Sequence, residues 1–161
     1  MQTRKDIPMT RRKLTMILAA MAVPAPVLLR PGAARSAALT PVILYKNPSC
    51  SCCEAYAQYL DQNGFAVEVR PTNDLAEISR KAGIPADLEG CHTSFIGAYV
   101  VDGHVPAPTI RKLLDEMPAI VGITLPGMPP GSPGMGDEKA GPLTVYAISN
   151  DGALPRVFAV D

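Results

Sequence analysis

The spacing of apolar and polar positions changes several times along the chain, and each change marks an element. Residues 41–45 are a continuous apolar, β-rich run, read as a buried strand that breaks at Lys46, Asn47 and Pro48. Residues 54–61 follow with a helical pattern that Ser49 or Ser51 would cap and Asn63-Gly64 would stop. Residues 65–70 alternate apolar with polar, which predicts a second strand. Thr72, Asn73 or Asp74 then caps a helix with Leu75 and Ile78 on one face and Gly83 at its close. Residues 93–101 read as one further strand, ending in a hairpin signal at Asp102-Gly103. Pro108 sits at a helix start, and Ile110, Leu113, Leu114 and Met117 recur at helical spacing, which assigns Met117 to the core before Pro118 ends the helix. Residues 122–142 are dense in glycine and proline, and such a segment predicts a surface loop rather than a regular helix or a central strand. Two β-rich runs, 143–148 and 156–160, close the chain around a turn at Asn150-Asp151-Gly152, a hairpin added to the sheet.

Strand, helix, strand, helix makes a βαβ unit with parallel neighbouring strands, and in an open α/β sheet the chemistry belongs at the carboxyl ends of the strands. With a hairpin and a helix after it, the order is that of an α/β, thioredoxin-like fold carrying a C-terminal Pro/Gly-rich loop and an added β-hairpin. Redox proteins of that fold place a cis-proline opposite the cysteine turn. Here no proline stands between Asp87 and His104, and the comparable position is a thiol, Cys91.

The N-terminus changes how charge and length are counted. Arg4, Lys5, Arg11, Arg12 and Lys13 form a basic head, residues 14–29 an apolar run, and Ala33 to Ala38 a small-residue cleavage region. Residues 1–38 therefore read as a signal peptide, cut after Ala38, and 39–161 as one domain. The apolar run is short for a membrane span and carries Pro24 and Pro26, so no span is expected after cleavage. Thr10-Arg11-Arg12-Lys13-Leu14 resembles the twin-arginine export motif, with Thr15 where an apolar residue is usual. Seven of the fifteen basic residues but only Asp6 of the fifteen acidic ones lie before Leu39, so the near-zero balance of the whole chain becomes −6 in the processed domain. That charge repels phosphate backbones and argues against nucleic acid as a partner.

The candidate chemistry lies directly after the first strand, where Cys50, Cys52 and Cys53 fall within four residues; Cys91 is the fourth and last cysteine. Thiolate sulfur either binds soft and borderline metals or exchanges with disulfides. The cluster supports both, as three converging thiolates or as a C-x-x-C pair, and an exported chain with an even cysteine count also admits plain structural bridges. Cysteines at a helix N-terminus favour the thiolate, through the unpaired N–H groups there. If the fold brings Cys91 to the other three, four sulfurs favour a closed metal site over an exchange dithiol. His92 follows Cys91 and offers a ligand or a supporting donor. Met128 and Met135, thioethers in the Pro/Gly loop, either pack on the domain or serve as soft accessory ligands for Cu(I). His104, at the turn signal, reads as a solvated loop histidine; Glu54 and Tyr56 read as capping and packing residues.

Tyr45-Lys46-Asn47-Pro48-Ser49-Cys50-Ser51-Cys52-Cys53, Cys91-His92-Thr93, Gly103-His104-Val105-Pro106 and the loop 126–135 closely resemble, over 41–161, the periplasmic CopG-type copper-resistance and metal-binding family, filed as a domain of unknown function. The resemblance implies a thioredoxin-like fold, a periplasmic location, and Cu(I) held by Cys50, Cys52, Cys53 and Cys91 in a multinuclear thiolate site. It leaves storage, transfer and redox activity open. Zinc is the alternative metal and a thiol–disulfide oxidoreductase the alternative function; the expected partners are the metal ion and other periplasmic copper-handling proteins.

Overall fold

The computed structural model describes residues 38–136 and 138–161, in which seven strands form one sheet and three α-helices pack beside it. The expected signal peptide, Ala38 apart, lies outside the described residues. Strand β1, Thr40–Lys46, runs parallel to β2, Phe65–Pro71, and helix α1, Ser51–Gln62, joins them. Helix α2, Leu75–Lys81, leads through a short 3-10 turn, Ala86–Leu88, to β3, His92–Ile96, which pairs antiparallel with β1. β4, Tyr99–Asp102, turns back along β3, and helix α3, Ala107–Glu116, follows. β5, Gly122–Thr124, β6, Thr144–Ile148, and β7, Arg156–Val160, extend the sheet to the order β2-β1-β3-β4-β5-β6-β7.

Alternation along the strands sorts side chains onto two faces. Val42, Leu44, Ile96 and Val101 pack with Tyr56, Ala57 and Leu60 of α1 and Ile110 and Leu113 of α3 in the main core. Their neighbours Phe95 and Val100 point the other way, into a smaller cluster with Ile84 and Ile148.

Several elements depart from the sequence expectation. The stretch expected as one strand is two, β3 and β4, and its hairpin turns at Gly97-Ala98 instead of Asp102-Gly103. Continuous β propensity across the turn hid the break. Neither serine caps α1, whose N-cap residue is Cys50, without a side-chain cap. Met117 is not core: it caps α3 in the left-handed conformation with φ 45° and is 73% exposed, so the apolar stripe ends one turn earlier, at Leu113 and Leu114. Most unexpectedly, β5 lies inside the Gly/Pro-rich region yet is central, parallel to β4 and antiparallel to β6. A Cβ on Gly122 would run into the Val100 carbonyl, so glycine is what lets β5 come this close to β4. The closing hairpin forms as expected, with a bulge at Val145/Tyr146.

Candidate metal centre

One end of the sheet collects every residue that carries chemistry. β1 ends at Lys46, and Cys50 stands at the start of α1 with Cys52 and Cys53 in its first turn. β3 runs antiparallel to β1 with Lys46 opposite His92, so Cys91 enters at the end where β1 leaves. β4 returns to the same end with Thr93 opposite Asp102, and Gly103 donates its N–H to the His92 carbonyl at 3.0 Å. His104 is therefore delivered beside Cys91 although thirteen positions separate them.

The four cysteines offer sulfur atoms that all lie within 4.8 Å of one another. Cys50 and Cys53 are joined in a disulfide with Cα atoms 5.5 Å apart, and Cys52 and Cys91 are free. Cys50 Sγ lies 3.4 Å from Cys52 Sγ, and Cys53 Sγ lies 3.6 Å from Cys91 Sγ and 3.3 Å from the Cys91 carbonyl oxygen. Cys53 is buried and the other three are half-buried, so the group is closed on the core side and reachable from outside. Cys91 lies off the helix, and burial, followed by the adjacent Cys52, pushes its thiol up to about 12.

Behind the sulfurs stand two buried imidazoles. Nδ1 of His104 lies 2.6 Å from the Pro133 carbonyl oxygen. A carbonyl only accepts, so Nδ1 carries the hydrogen. Burial lowers the pKa of His104, which favours the neutral ring, so its Nε2 accepts from the Cys91 thiol at 3.0 Å. A metal ligand is oriented in this way, its second nitrogen held by a backbone carbonyl while the first faces the ion. His92 is fully buried, and that burial brings its pKa down to about 3. Its Nδ1 lies 3.4 Å from Cys91 Sγ, and its buried Nε2 has no hydrogen-bond partner among the described residues. Tyr56 packs against both, its ring 4.5 Å from His92 and 5.0 Å from His104, whose rings are themselves 4.9 Å apart, with its hydroxyl donating to the Val105 carbonyl at 2.8 Å.

The Pro/Gly loop is folded back over the centre. Ser132 is buried, and Gly134, at φ 83°, lies so close to α1 that a Cβ there would stand 2.7 Å from the Tyr56 nitrogen. This docking carries the Pro133 carbonyl to His104. Met128 is 52% exposed, with its Sδ 4.0 Å from Cys52 Sγ at the open side. Met135, half-buried, makes no sulfur contact with the cluster among the described residues.

Of the residues singled out from sequence, the four cysteines, His92 and Met128 converge, while Met135 does not. Tyr56 packs as expected, and Glu54 forms an ion pair with Lys46 at 3.0 Å. His104 overturns its reading as a solvated histidine, because the β3–β4 hairpin turns it inward and the loop covers it. The run Gly103-His104-Val105-Pro106 was the available signal, since a histidine followed by an apolar residue and a helix-starting proline is anchored at both ends.

A family described as a protein of unknown function, DUF411, matches residues 88–135, a stretch that holds Cys91, His92, His104 and both loop methionines and begins after the first three cysteines. No curated protein matches the chain significantly. Two solved structures, named copper resistance protein copG, form 1 and form 2, each superpose with a TM-score of 0.70 at 34% identity, covering 76% of this chain and 98% of theirs.

Proposed function

Since the chain belongs to the CopG-type copper-resistance family, we propose that it is an exported copper-handling protein that holds Cu(I) through Cys50, Cys52, Cys53 and Cys91, for sequestration or for transfer to other periplasmic copper-handling proteins. The observation that carries this reading is the convergence of four sulfurs within 4.8 Å at one sheet end. Soft thiolates suit Cu(I), and their proximity suits bridging of more than one ion. His104 Nε2 supplies a nitrogen donor at the buried edge and Met128 a thioether at the open edge. His92 lines the inner wall. The −6 charge of the processed domain suits a cationic cargo. Residues 1–38 act as the export signal, and among the described residues no helix is long and apolar enough to cross a membrane.

The order β2-β1-β3-β4, with β1 and β2 parallel and β3 and β4 antiparallel, supports a thioredoxin-like core to which β5, β6 and β7 are added. Such a core sets the cysteine turn at the carboxyl end of β1. Loading requires Cys50 and Cys53 as thiolates, so the disulfide must first be reduced by an external dithiol.

That disulfide favours one second reading, a thiol–disulfide oxidoreductase using Cys50 and Cys53. Anaerobic loading of the reduced protein with Cu(I), and separately Zn(II), followed by elemental analysis, distinguishes the two. More than one copper per chain, falling in Cys91→Ser, is the expected result. No retained copper, together with disulfide-reductase turnover that survives Cys91→Ser and is lost in Cys50→Ser, would replace the copper reading by the redox one. A single tightly held zinc would replace copper by the alternative metal.

A further inference from the structure

Lys46 is the last residue of β1, which lies between β2 and β3, and its side chain is 1% exposed. A buried ammonium is unfavourable unless every proton finds an acceptor and the charge a counter-charge. Here Nζ lies 3.1 Å from the Asn47 carbonyl oxygen, 3.3 Å from that of Pro48 and 3.1 Å from that of Cys50. Its counter-ion is Glu54, in the first turn of α1, at 3.0 Å. Four acceptors thus surround three N–H groups, and three of them belong to the turn that carries Cys50. Once the Cys50–Cys53 disulfide is open, the turn has little else to hold it among the described residues. Pro48 has no N–H, α1 has no side-chain cap, and the one backbone bond closing the turn is Cys50 N–H to the Asn47 carbonyl at 3.0 Å.

We infer that Lys46 is a positioning residue for the cysteine turn. Its ammonium gathers three carbonyls and ties them through Glu54 to α1, which holds the Cys50 sulfur in reach of Cys52 and Cys53. An apolar side chain would fill the same space but take away the donor that the three carbonyls share, leaving Asn47 only its bond from the Cys50 N–H, and the turn freer to open. Preorganisation of this kind acts on any reaction that needs the sulfurs together, whether closing the disulfide or chelating a soft cation. The effect on the disulfide is independent of copper; the effect on copper affinity rests on the reading proposed above.

The test compares wild type with Lys46→Met and Glu54→Gln in two equilibria. In a glutathione buffer, the two thiols and oxidised glutathione exchange with the Cys50–Cys53 disulfide and two reduced glutathiones. Lys46→Met is expected to lower this equilibrium constant at least tenfold, which is about 30 mV in potential, and to weaken Cu(I) retention against a chromophoric chelator at least tenfold. Glu54 is half exposed, so Glu54→Gln keeps the fold and still loosens the tether; it moves both equilibria in the same direction by about threefold. Should Lys46→Met fail to fold, Glu54→Gln decides the question alone. Wild-type disulfide equilibrium in the folded variants, even with a lowered melting temperature, overturns the inference and leaves Lys46 a merely structural residue. Failure of wild type to bind copper removes the copper reading, and the glutathione equilibrium still decides the role of Lys46.

Discussion

Three oxygen–oxygen contacts run in line from the hairpin to α2: Asp102 to Thr93 at 2.7 Å, Thr93 to Ser79 at 2.7 Å, and Ser79 to the Leu75 carbonyl at 3.1 Å. Thr93 donates to one Asp102 carboxyl oxygen, and the other accepts the Gly90 N–H. Burial outweighs these two hydrogen bonds, which favour the carboxylate, and raises this carboxyl from 3.8 to about 6. A folded-state pKa above the unfolded one means that the stabilisation is fully present below pH 3.8 and is lost as pH rises through about 6. Asp102→Asn removes the titrating group and is neutral at every pH. Urea unfolding of the metal-free protein is expected to show wild type losing up to about 3 kcal/mol between pH 4 and 7 while the Asn variant stays flat across this step; a parallel decline in both would mean that Asp102 is not the group responsible. Asp102→Ala, which strands the Gly90 N–H and Thr93, is expected to cost about 2 kcal/mol at pH 4, and less as pH rises and the wild-type carboxyl ionises. His104 makes a second residue-level prediction. His104→Ala removes the nitrogen donor and unpairs the Pro133 carbonyl, so Cu(I) retention against a chelator should fall at least tenfold, whereas His104→Gln, which restores a donor to that carbonyl but no imidazole, should recover stability and not affinity.

Among the elements, β5 and the loop after it turn an extended sheet into a covered site. Because the Val100 carbonyl occupies the space of a side chain at position 122, Gly122→Ala must push β5 from β4, with an expected loss of roughly 3 kcal/mol in thermal unfolding. Gly141→Ala, where a Cβ meets open space, is the control and should lie within about 0.5 kcal/mol of wild type. Equal effects would mean that β5 tolerates displacement. Helix α1 bears on the site differently: its first turn carries Cys52 and Glu54 toward the open side and Cys53 inward, and Tyr56 follows on the buried face, so one helix both presents the sulfurs and packs against the imidazoles.

For the molecule as a whole, sulfurs drawn from α1 and from the strand entry at Cys91 mean that any ion held by all four ties the βαβ half to the hairpin half. Binding to the folded state alone raises stability by mass action, about 4 kcal/mol at a thousandfold excess over Kd. The reduced protein should therefore melt several degrees higher with Cu(I), return to its starting point on addition of a Cu(I) chelator, and show a much smaller gain in Cys91→Ser. An equal gain in that variant would mean that the metal sits on Cys50, Cys52 and Cys53 alone.

The sequence was sufficient for whatever depends on neighbours along the chain: the strand at 41–45, the helix after the cysteines, the amphipathic face of Ile110 and Leu113, the closing hairpin, and thiol chemistry from three cysteines in four residues. Period and propensity are local, so these features survive folding in recognisable form. What depended on register and long-range approach was not legible there. His104 looks like any turn histidine until the Thr93–Asp102 pairing and the Pro133 carbonyl bring it to Cys91. β5 looks like the margin of a loop until Val100 takes the space that its glycine leaves, and Lys46 looks like the end of a strand until three carbonyls close on its ammonium. In each case the meaning of a residue comes from groups far away in sequence or from backbone atoms that carry no sequence signal, and the chain must fold before they meet.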